Sequence, residues 1–600
     1  MTMQKILMTG NEAIARGAYE SGVTVAAGYP GTPSTEILEN LVAYPEVYAE
    51  WAPNEKVALE VGFGASLAGA RVLIAMKHVG LNVAADPFMT MSYTGTGGGL
   101  VLVTGDDPGM HSSQNEQDNR LYARFAKVPL MEPGDSQEAK EFIKEAFIIS
   151  ERYDTPVLFR ITTRLAHTRT PVVLGDRSQF IPGEWQRNIP KLVMLPAYAR
   201  QRHLVVEERR ERLRAYAESS PLNEIVWGDR EIGIISSGVA FSYAREAFGE
   251  GASYLKLGIT NPLPLGLAKE FAGQVRRLIV VEELEPFLEE QLRAAGLKVE
   301  GKGLLPRVGE LSPELIETGV RGRSRFRAVY QVPDNLPARP PIMCPGCPHR
   351  GVFYVLHKLR AVVAGDIGCY TLGAMPPFEA MDACLCMGAG IGASLGMQKA
   401  GGGEFARKVV AVIGDSTFIH SGITGLIDHI YNRSTGTIII LDNRTTAMTG
   451  HQDHPGTGRT LGGEETARID FISLLRSLGV KNVRLVDPYQ LRPLEEAIRQ
   501  EMSREELSVV IASRPCVLIG STPHPEGARA PTLAGAEAER RKTVAAYRER
   551  CTGCKKCLQL GCPAISLAGD RIQVDEDLCR GCTLCIQVCP QANEAGEEDE

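Results

Sequence analysis

The sequence has 600 residues, too many for one hydrophobic core, and its length alone implies about three to five domains. Hydrophobic residues make up 44% and charged residues 23%, an ordinary composition for a soluble globular protein, and the net charge of −7 argues against a nucleic-acid-binding surface. No apolar run of about eighteen residues is present, so no membrane span is expected. The apolar stretch before Gly10 is too short for a signal peptide, and the expected location is cytoplasmic.

In chain order, apolar runs at Val23–Ala27, Val72–Met76, Leu100–Thr104 and Val157–Ile161 alternate with longer amphipathic stretches. This alternation predicts a parallel sheet covered by helices over residues 1–196. The first run is followed by Gly28-Tyr29-Pro30-Gly31-Thr32-Pro33-Ser34-Thr35-Glu36, where Ser34 or Thr35 suits the cap of a following helix. From Ala58 to Ala70 the chain reads as an apolar, small-residue helix with one embedded carboxylate, Glu60. Glu55 reads as a surface residue near the helix start. Charge then dominates around Arg200–Ser220, including Glu207-Glu208-Arg209-Arg210-Glu211-Arg212, and marks a charged linker or exposed helix over 197–229. Strands at Ile232–Ser236 and Leu278–Glu282 define a smaller α/β segment, 230–332, closed by the proline-rich stretch Pro333 to Pro341.

Segment 340–526 again alternates as α/β, with strands at Val409–Ile413, Thr437–Leu441 and Ser508–Ala512. It opens with Cys344-Pro345-Gly346-Cys347-Pro348-His349-Arg350. A lone CxxC suits a redox pair or half a zinc site, and no second CxxC in the segment completes zinc. Cys369, Cys384 and Cys386 read as core residues. Met387-Gly388-Ala389-Gly390-Ile391-Gly392 suits close helix packing through small residues. Gly414-Asp415-Ser416 follows one strand, and Asn443 follows the next after 26 intervening residues. Ligands bind at the carboxyl ends of parallel strands, and a small-residue turn lets backbone N–H groups approach phosphate. Asp415 and Asn443 supply the hard oxygens that Mg²⁺ prefers.

Eight of the 14 cysteines lie in the last segment, 545–593. The pattern is Cys551-x2-Cys554-x2-Cys557-x4-Cys562-Pro563, then Cys579-x2-Cys582-x2-Cys585-x3-Cys589-Pro590. Structural zinc usually takes two CxxC pairs, whereas two triplets each followed by Cys-Pro suit iron–sulfur cubanes, which pass electrons singly.

This tail closely resembles a bacterial two-cluster ferredoxin, with one additional residue before Cys562. In that fold the fourth cysteine of each run ligates the other cluster. The resemblance therefore assigns Cys551, Cys554, Cys557 and Cys589 to one 4Fe–4S cluster, and Cys579, Cys582, Cys585 and Cys562 to the other. Gly414-Asp415-Ser416 with Asn443 resembles the diphosphate motif of thiamine-dependent enzymes, Ser416 replacing the usual final glycine. By this resemblance Asp415, Asn443 and the carbonyl of Thr445 hold Mg²⁺, and Gly388 and Gly390 belong to a helix start bordering thiamine diphosphate.

Over nearly the whole chain the order of segments resembles the thiamine-diphosphate-dependent 2-oxoacid:ferredoxin oxidoreductases, and among them the alpha subunits that act on indolepyruvate. The implied fold is α/β and multidomain: two doubly wound α/β thiamine-diphosphate domains, a transketolase-C-like domain and a two-cluster ferredoxin-like domain. Thiamine chemistry needs a carboxylate beside N1′ of the aminopyrimidine, best held in an apolar wall. The resemblance implies that Glu60 is this acid, that Thr32 contacts the 2-oxoacid, and that Cys347 forms part of the active-site wall. Lys77, His78, Arg120 and Arg124 are candidates for the cation that holds the substrate carboxylate, Arg124 matching best by position. The implied reaction is oxidative decarboxylation of aryl pyruvates with coenzyme A, giving an acyl-CoA and CO₂ and reducing ferredoxin. The implied partner is a smaller beta subunit, in a dimer of alpha–beta heterodimers. Two alternatives accompany this reading: the same chemistry on pyruvate or branched-chain 2-oxoacids, and a non-catalytic electron-transfer subunit, against which Glu60, Asp415 and Asn443 speak.

Overall fold

The computed structural model describes residues 5–326 apart from 182, 184 and 186, then residues 333, 335–337, 339–519 and 551–593. The chain divides into two compact units, Met1–Pro333 and Asp334–Glu600.

In the first unit the strands run β1 (Lys5–Thr9), β2 (Val25–Gly28), β3 (Tyr48–Trp51), β4 (Val72–Lys77), β5 (Leu100–Asp106), β6 (Leu130–Met131), β7 (Val157–Thr162), β8 (Arg169–Val173), β9 (Asn223–Val226), β10 (Ile232–Ser237), β11 (Ser253–Leu257), β12 (Ile259–Asn261) and β13 (Arg277–Val281). Seven of them form one sheet in the order β12-β6-β7-β5-β4-β2-β3, and four form a second in the order β13-β10-β11-β9. In the larger sheet only β12 runs antiparallel to its neighbour. The central strands β5 and β7 are buried throughout, as expected where helices cover both faces of a parallel sheet and the strands read as continuous apolar runs. One apolar core spans both sheets, joining Ile74, Phe88 and Leu102 to Leu255, Phe271 and Phe287.

The 197–229 stretch is not a spacer. It holds a 24-residue helix, Pro196–Ser219, and then β9 of the second sheet. Val206, Leu213 and Ala217 are buried, and so is Arg209, whose guanidinium donates to the carbonyls of Asp154 (2.7 Å) and Ser92. Apart from Arg209, the charges that mark this helix in the sequence are exposed or half-buried.

In the second unit β14 (Val362–Gly365), β15 (Ala383–Cys384), β16 (Val409–Gly414), β17 (Gly436–Asp442), β18 (Asn482–Val486) and β19 (Leu507–Ser513) make a six-stranded sheet. Its order is β15-β14-β16-β17-β19-β18, and every pairing is parallel. The cysteine tail carries the antiparallel hairpin β20 (Ile565–Ala568) and β21 (Arg571–Val574). It is no free appendage, because Leu560 and Leu584 are buried in the same core as Val352, Val410 and Leu494. Among the described residues no helix is long and apolar enough to cross a membrane.

Candidate active site

At the carboxyl ends of β14, β16 and β17 the chain places Asp366, Asp415 and Asn443, all buried. Asp415 begins the turn after β16. Its Oδ1 accepts from the N–H of Ser416 (2.8 Å), its Oδ2 accepts from the N–H of Arg444 (2.8 Å), and Nε2 of His454 lies 3.3 Å from Oδ2. Nδ1 of His454 accepts from the N–H of Gly456. The Thr446 hydroxyl reaches that of Ser416 (3.0 Å), tying together the two loops that carry Asp415 and Asn443. The parallel register Gly414↔Leu441 sets both loops at the same level of the sheet. By residue type, the side chains of Asp415 and Asn443 with the carbonyl of Thr445 would offer the all-oxygen donors that Mg²⁺ takes. His349 is buried beside this site. Burial pushes its imidazole down to about 4, with Asp415 opposing the shift.

The glycine-rich start of the Ala389–Gly401 helix packs against the loop after β14. Its N–H groups at Gly388 (2.8 Å) and Gly390 (3.1 Å) donate to the Asp366 carboxylate, which also accepts from the N–H of Ile367. Burial pushes Asp366 up to about 6 against these three donors. Gly388 and Gly390 therefore position the loop after β14 through Asp366, a residue the sequence reading passed over. A Cβ on Gly390 would come within 2.8 Å of the Gly365 carbonyl, so this close approach requires glycine.

Twelve of the 14 cysteines fall into three groups. Cys562, Cys579, Cys582 and Cys585 line one small cavity, together with Arg350 and Arg580. Cys551, Cys554, Cys557 and Cys589 line a second, which Cys585 also borders. The fourth thiol of each run thus lines the cavity of the other run, the crossed arrangement that two cubanes need. Among the described residues no three His, Cys, Asp or Glu side chains converge as they would on a single metal ion.

The third group is one that the sequence reading missed. Cys369 feels the charges of Cys516 and Cys344, and Cys347 those of Cys369 and Cys344; burial comes first in pushing these two thiols up, to about 11 and about 12. Cys369 is thus no isolated core residue, and Cys384 and Cys386 are exposed rather than buried. The N–H of Cys516 donates to the carbonyl of Asn443 (3.0 Å), which sets this group directly beside the oxygen site. A lone cysteine just beyond a strand end, as Cys516 stands after β19, was the available signal.

In the first unit the helix Glu55–Leu67 is capped by Asn54, whose side chain accepts from the N–H of Val57. Glu60 does not sit in an apolar wall. Its side chain is 46% exposed and pairs with Lys56 one turn earlier. The buried carboxylate of this helix is Glu55, which packs against Gly80 beyond the carboxyl end of β4: a Cβ on Gly80 would meet Glu55 Oε1 at 2.7 Å. Thr32 is half-buried in the loop after β2, where Thr35 Oγ1 accepts from the N–H of Gly31 and the Ser34 hydroxyl donates to the Gly31 carbonyl. Ser34 makes no cap of the following helix.

Lys77, at the end of β4, lies against Gly31. Its Nζ donates to the Ser112 carbonyl (2.7 Å), and burial pushes it down to about 8, with Asp107 opposing. His78 is fully buried, its Nδ1 near the Gly105 carbonyl and its Nε2 near Asn115 Oδ1. Arg124 is exposed on the helix Arg120–Ala126. Arg120 is already engaged, its guanidinium binding Asp118 and Glu282 and donating to the carbonyls of Glu283 and Glu285.

The comparisons with known proteins agree with this geometry. Residues 16–212 match the family model "Pyruvate flavodoxin/ferredoxin oxidoreductase, thiamine diP-bdg". Residues 366–512 match "Thiamine pyrophosphate enzyme, C-terminal TPP binding domain", and 572–592 match "4Fe-4S binding domain". The chain is 41% identical to the indolepyruvate oxidoreductase subunit IorA of Archaeoglobus fulgidus, over 98% of this chain and 97% of that protein. It is likewise 41% identical to the IorA of Pyrococcus horikoshii, over 98% and 96%. The 2-oxoglutarate synthase subunit KorA of Methanothermobacter thermautotrophicus is 26% identical over 51% of this chain and 95% of its own length. With thiamine diphosphate domains in both units and a 4Fe–4S motif in the tail, the chain belongs to the IorA family of indolepyruvate oxidoreductase subunits, within the 2-oxoacid:ferredoxin oxidoreductases.

Proposed function

We propose that this chain is the catalytic subunit for the reaction of an aryl 2-oxoacid such as indolepyruvate with coenzyme A and oxidised ferredoxin. The products are an acyl-CoA, CO₂, one proton and two reduced ferredoxins. Electrons balance because cleavage of the carboxylate bond and formation of the thioester release two electrons, which two one-electron carriers accept. A smaller beta subunit completes the enzyme, in a dimer of alpha–beta heterodimers. The name shared by the relatives supports the substrate class. The observation that supports the redox reading is the N–H of Cys516 bound to the carbonyl of Asn443, which brings that cysteine's loop beside the proposed diphosphate-binding residue.

When bound, thiamine diphosphate supplies the nucleophilic carbon that attacks the ketone, and iron–sulfur clusters accept electrons one at a time. The chain's own residues do the rest. Asp415, Asn443 and the Thr445 carbonyl hold Mg²⁺ through hard oxygens. Glu55, in place of Glu60, holds the proton at N1′ of the aminopyrimidine, because it is the buried carboxylate of its helix. Thr32 orients the 2-oxoacid. Lys77, beside the same loop, supplies the cation for its carboxylate in place of Arg124, which faces solvent. Cys344, Cys347, Cys369 and Cys516 hold a cluster nearest the cofactor, and the two tail cavities hold two more.

The test is an anaerobic assay of the full chain with its small partner subunit, coenzyme A, ferredoxin and a panel of indolepyruvate, phenylpyruvate, pyruvate and a branched-chain 2-oxoacid. Acyl-CoA formed from the aryl acids at a higher kcat/KM than from the others is the expected result. Preference for pyruvate or a branched-chain acid would overturn the substrate assignment, and no turnover of any acid would overturn the catalytic one.

A further inference from the structure

Arg350 opens the first turn of the helix His349–Leu359 and is 2% exposed. Its Nε donates to the Cys344 carbonyl (3.0 Å), one Nη to the Leu560 carbonyl (2.7 Å) and the other to the Met343 carbonyl. It therefore ties the CxxC loop of the thiamine-type domain to the first cysteine run of the tail. Burial pushes the guanidinium below its usual range, an effect that thiolate forms of the neighbouring Cys562, Cys347, Cys582 and Cys344 oppose.

A buried guanidinium whose peptide partners are carbonyls carries a formal charge that needs an anion. The side chain lines the cavity of Cys562, Cys579, Cys582 and Cys585, which Arg580 also lines. The cavity of Cys551, Cys554, Cys557 and Cys589 is lined by Lys555 but by no arginine. Two things thus distinguish the cavities: one fixed, dry positive charge, and direct linkage to the Cys344–Cys347 loop.

We infer that Arg350 raises the reduction potential of the cluster held by Cys562, Cys579, Cys582 and Cys585, making it the tail cluster that receives electrons from the Cys344–Cys347 side. This rests on the reading that the eight tail thiols hold two cubanes. The physical cause is electrostatic. Reduction adds one negative charge to the cluster, and a desolvated cation at fixed distance stabilises the reduced form more than the oxidised form. Arg350 is a positioning residue here and touches no substrate.

The test is an anaerobic redox titration, followed by electron paramagnetic resonance, of the full chain with its partner subunit. It compares the wild type, Arg350→Gln and Arg350→Lys, with Cys582→Ser identifying the signal of the Cys562 cluster. In Arg350→Gln that cluster should become harder to reduce by at least about tenfold in its reduced-to-oxidised ratio at the wild-type midpoint, or about 59 mV for one electron, while the Cys551 cluster stays in place. Arg350→Lys keeps the charge but not the planar three-carbonyl grip, so its shift should have the same direction and a smaller size. This variant carries the test alone if Arg350→Gln fails to assemble clusters. Unmoved midpoints in the assembled variants, or a shift confined to the Cys551 cluster, would overturn the inference while leaving the two-cubane reading intact. Wild type with no pair of tail 4Fe–4S signals would overturn both.

Discussion

Replacing Glu55 and Glu60 separately by glutamine separates two carboxylates on one helix that differ in surroundings rather than in chemistry. Glu60 is half-exposed and pairs with Lys56 in the less favourable order, lysine preceding glutamate. Such an exposed pair contributes about 0.2–0.5 kcal/mol, toward the low end in this orientation. Glu60→Gln should therefore leave the melting temperature within about 1–2 °C of wild type and kcat within about twofold. Glu55 is 5% exposed and wedged against Gly80, where glutamine is isosteric and packing is kept. Loss of a positioned proton donor costs roughly 10²–10⁴-fold in rate. Glu55→Gln should thus lower kcat by at least about a hundredfold while thiamine diphosphate remains bound. The assay is steady-state ferredoxin reduction with calorimetric cofactor titration on the same samples. A large kcat loss in Glu60→Gln with near-normal turnover in Glu55→Gln would refute the assignment.

Arg120 is bound to two buried carboxylates and two carbonyls, so Arg120→Met should destabilise the first unit by about 3–5 kcal/mol, seen as a drop in its thermal transition; an unchanged transition would contradict the pairing. Glu283 is pushed up to about 7 from 4.5 by burial, so the folded first unit binds a proton that the unfolded chain has released. The stability this proton gives is complete below about 4.5 and is lost as pH rises through about 7, which makes melting temperature fall across that window. Glu283→Gln should flatten this fall and melt higher than wild type above neutrality, and a steeper fall in the variant would reverse the sign. Asp415→Ala removes the acceptor of two backbone N–H groups as well as the proposed magnesium ligand. It should abolish binding of thiamine diphosphate with Mg²⁺ yet keep the cluster absorbance at roughly wild-type intensity. Joint loss of both would show that the core shared by sheet and tail transmits the defect.

The central strands were legible in the sequence because a strand covered on both faces reads as an unbroken apolar run. Val409–Ile413 and Thr437–Leu441 lie within the observed Val409–Gly414 and Gly436–Asp442. Short edge or irregular strands such as Tyr48–Trp51 and Leu130–Met131 lack that run and were not visible. The tail cysteines were legible because cubane ligation imposes local spacing. Cys369 and Cys516 were not, since each stands alone and only the sheet brings them to the Cys344–Cys347 loop. The exchange of Glu55 for Glu60 has a similar origin. The two lie about 140° apart on the helix, whose small residues on all sides give no apolar stripe to choose the inner face, and Glu55 is buried by Gly80 from beyond the next strand. Arg350 carries no signature at all, because its role comes from carbonyls of segments far apart in sequence.

The most direct measurement is anaerobic rapid mixing of the reconstituted enzyme with indolepyruvate and coenzyme A in the absence of ferredoxin, watching cluster absorbance and the spin signals of reduced 4Fe–4S centres. Bleaching of the clusters with appearance of those signals, dependent on the 2-oxoacid and absent in Asp415→Ala, is the predicted result. Clusters that stay oxidised while the 2-oxoacid is consumed would contradict the account.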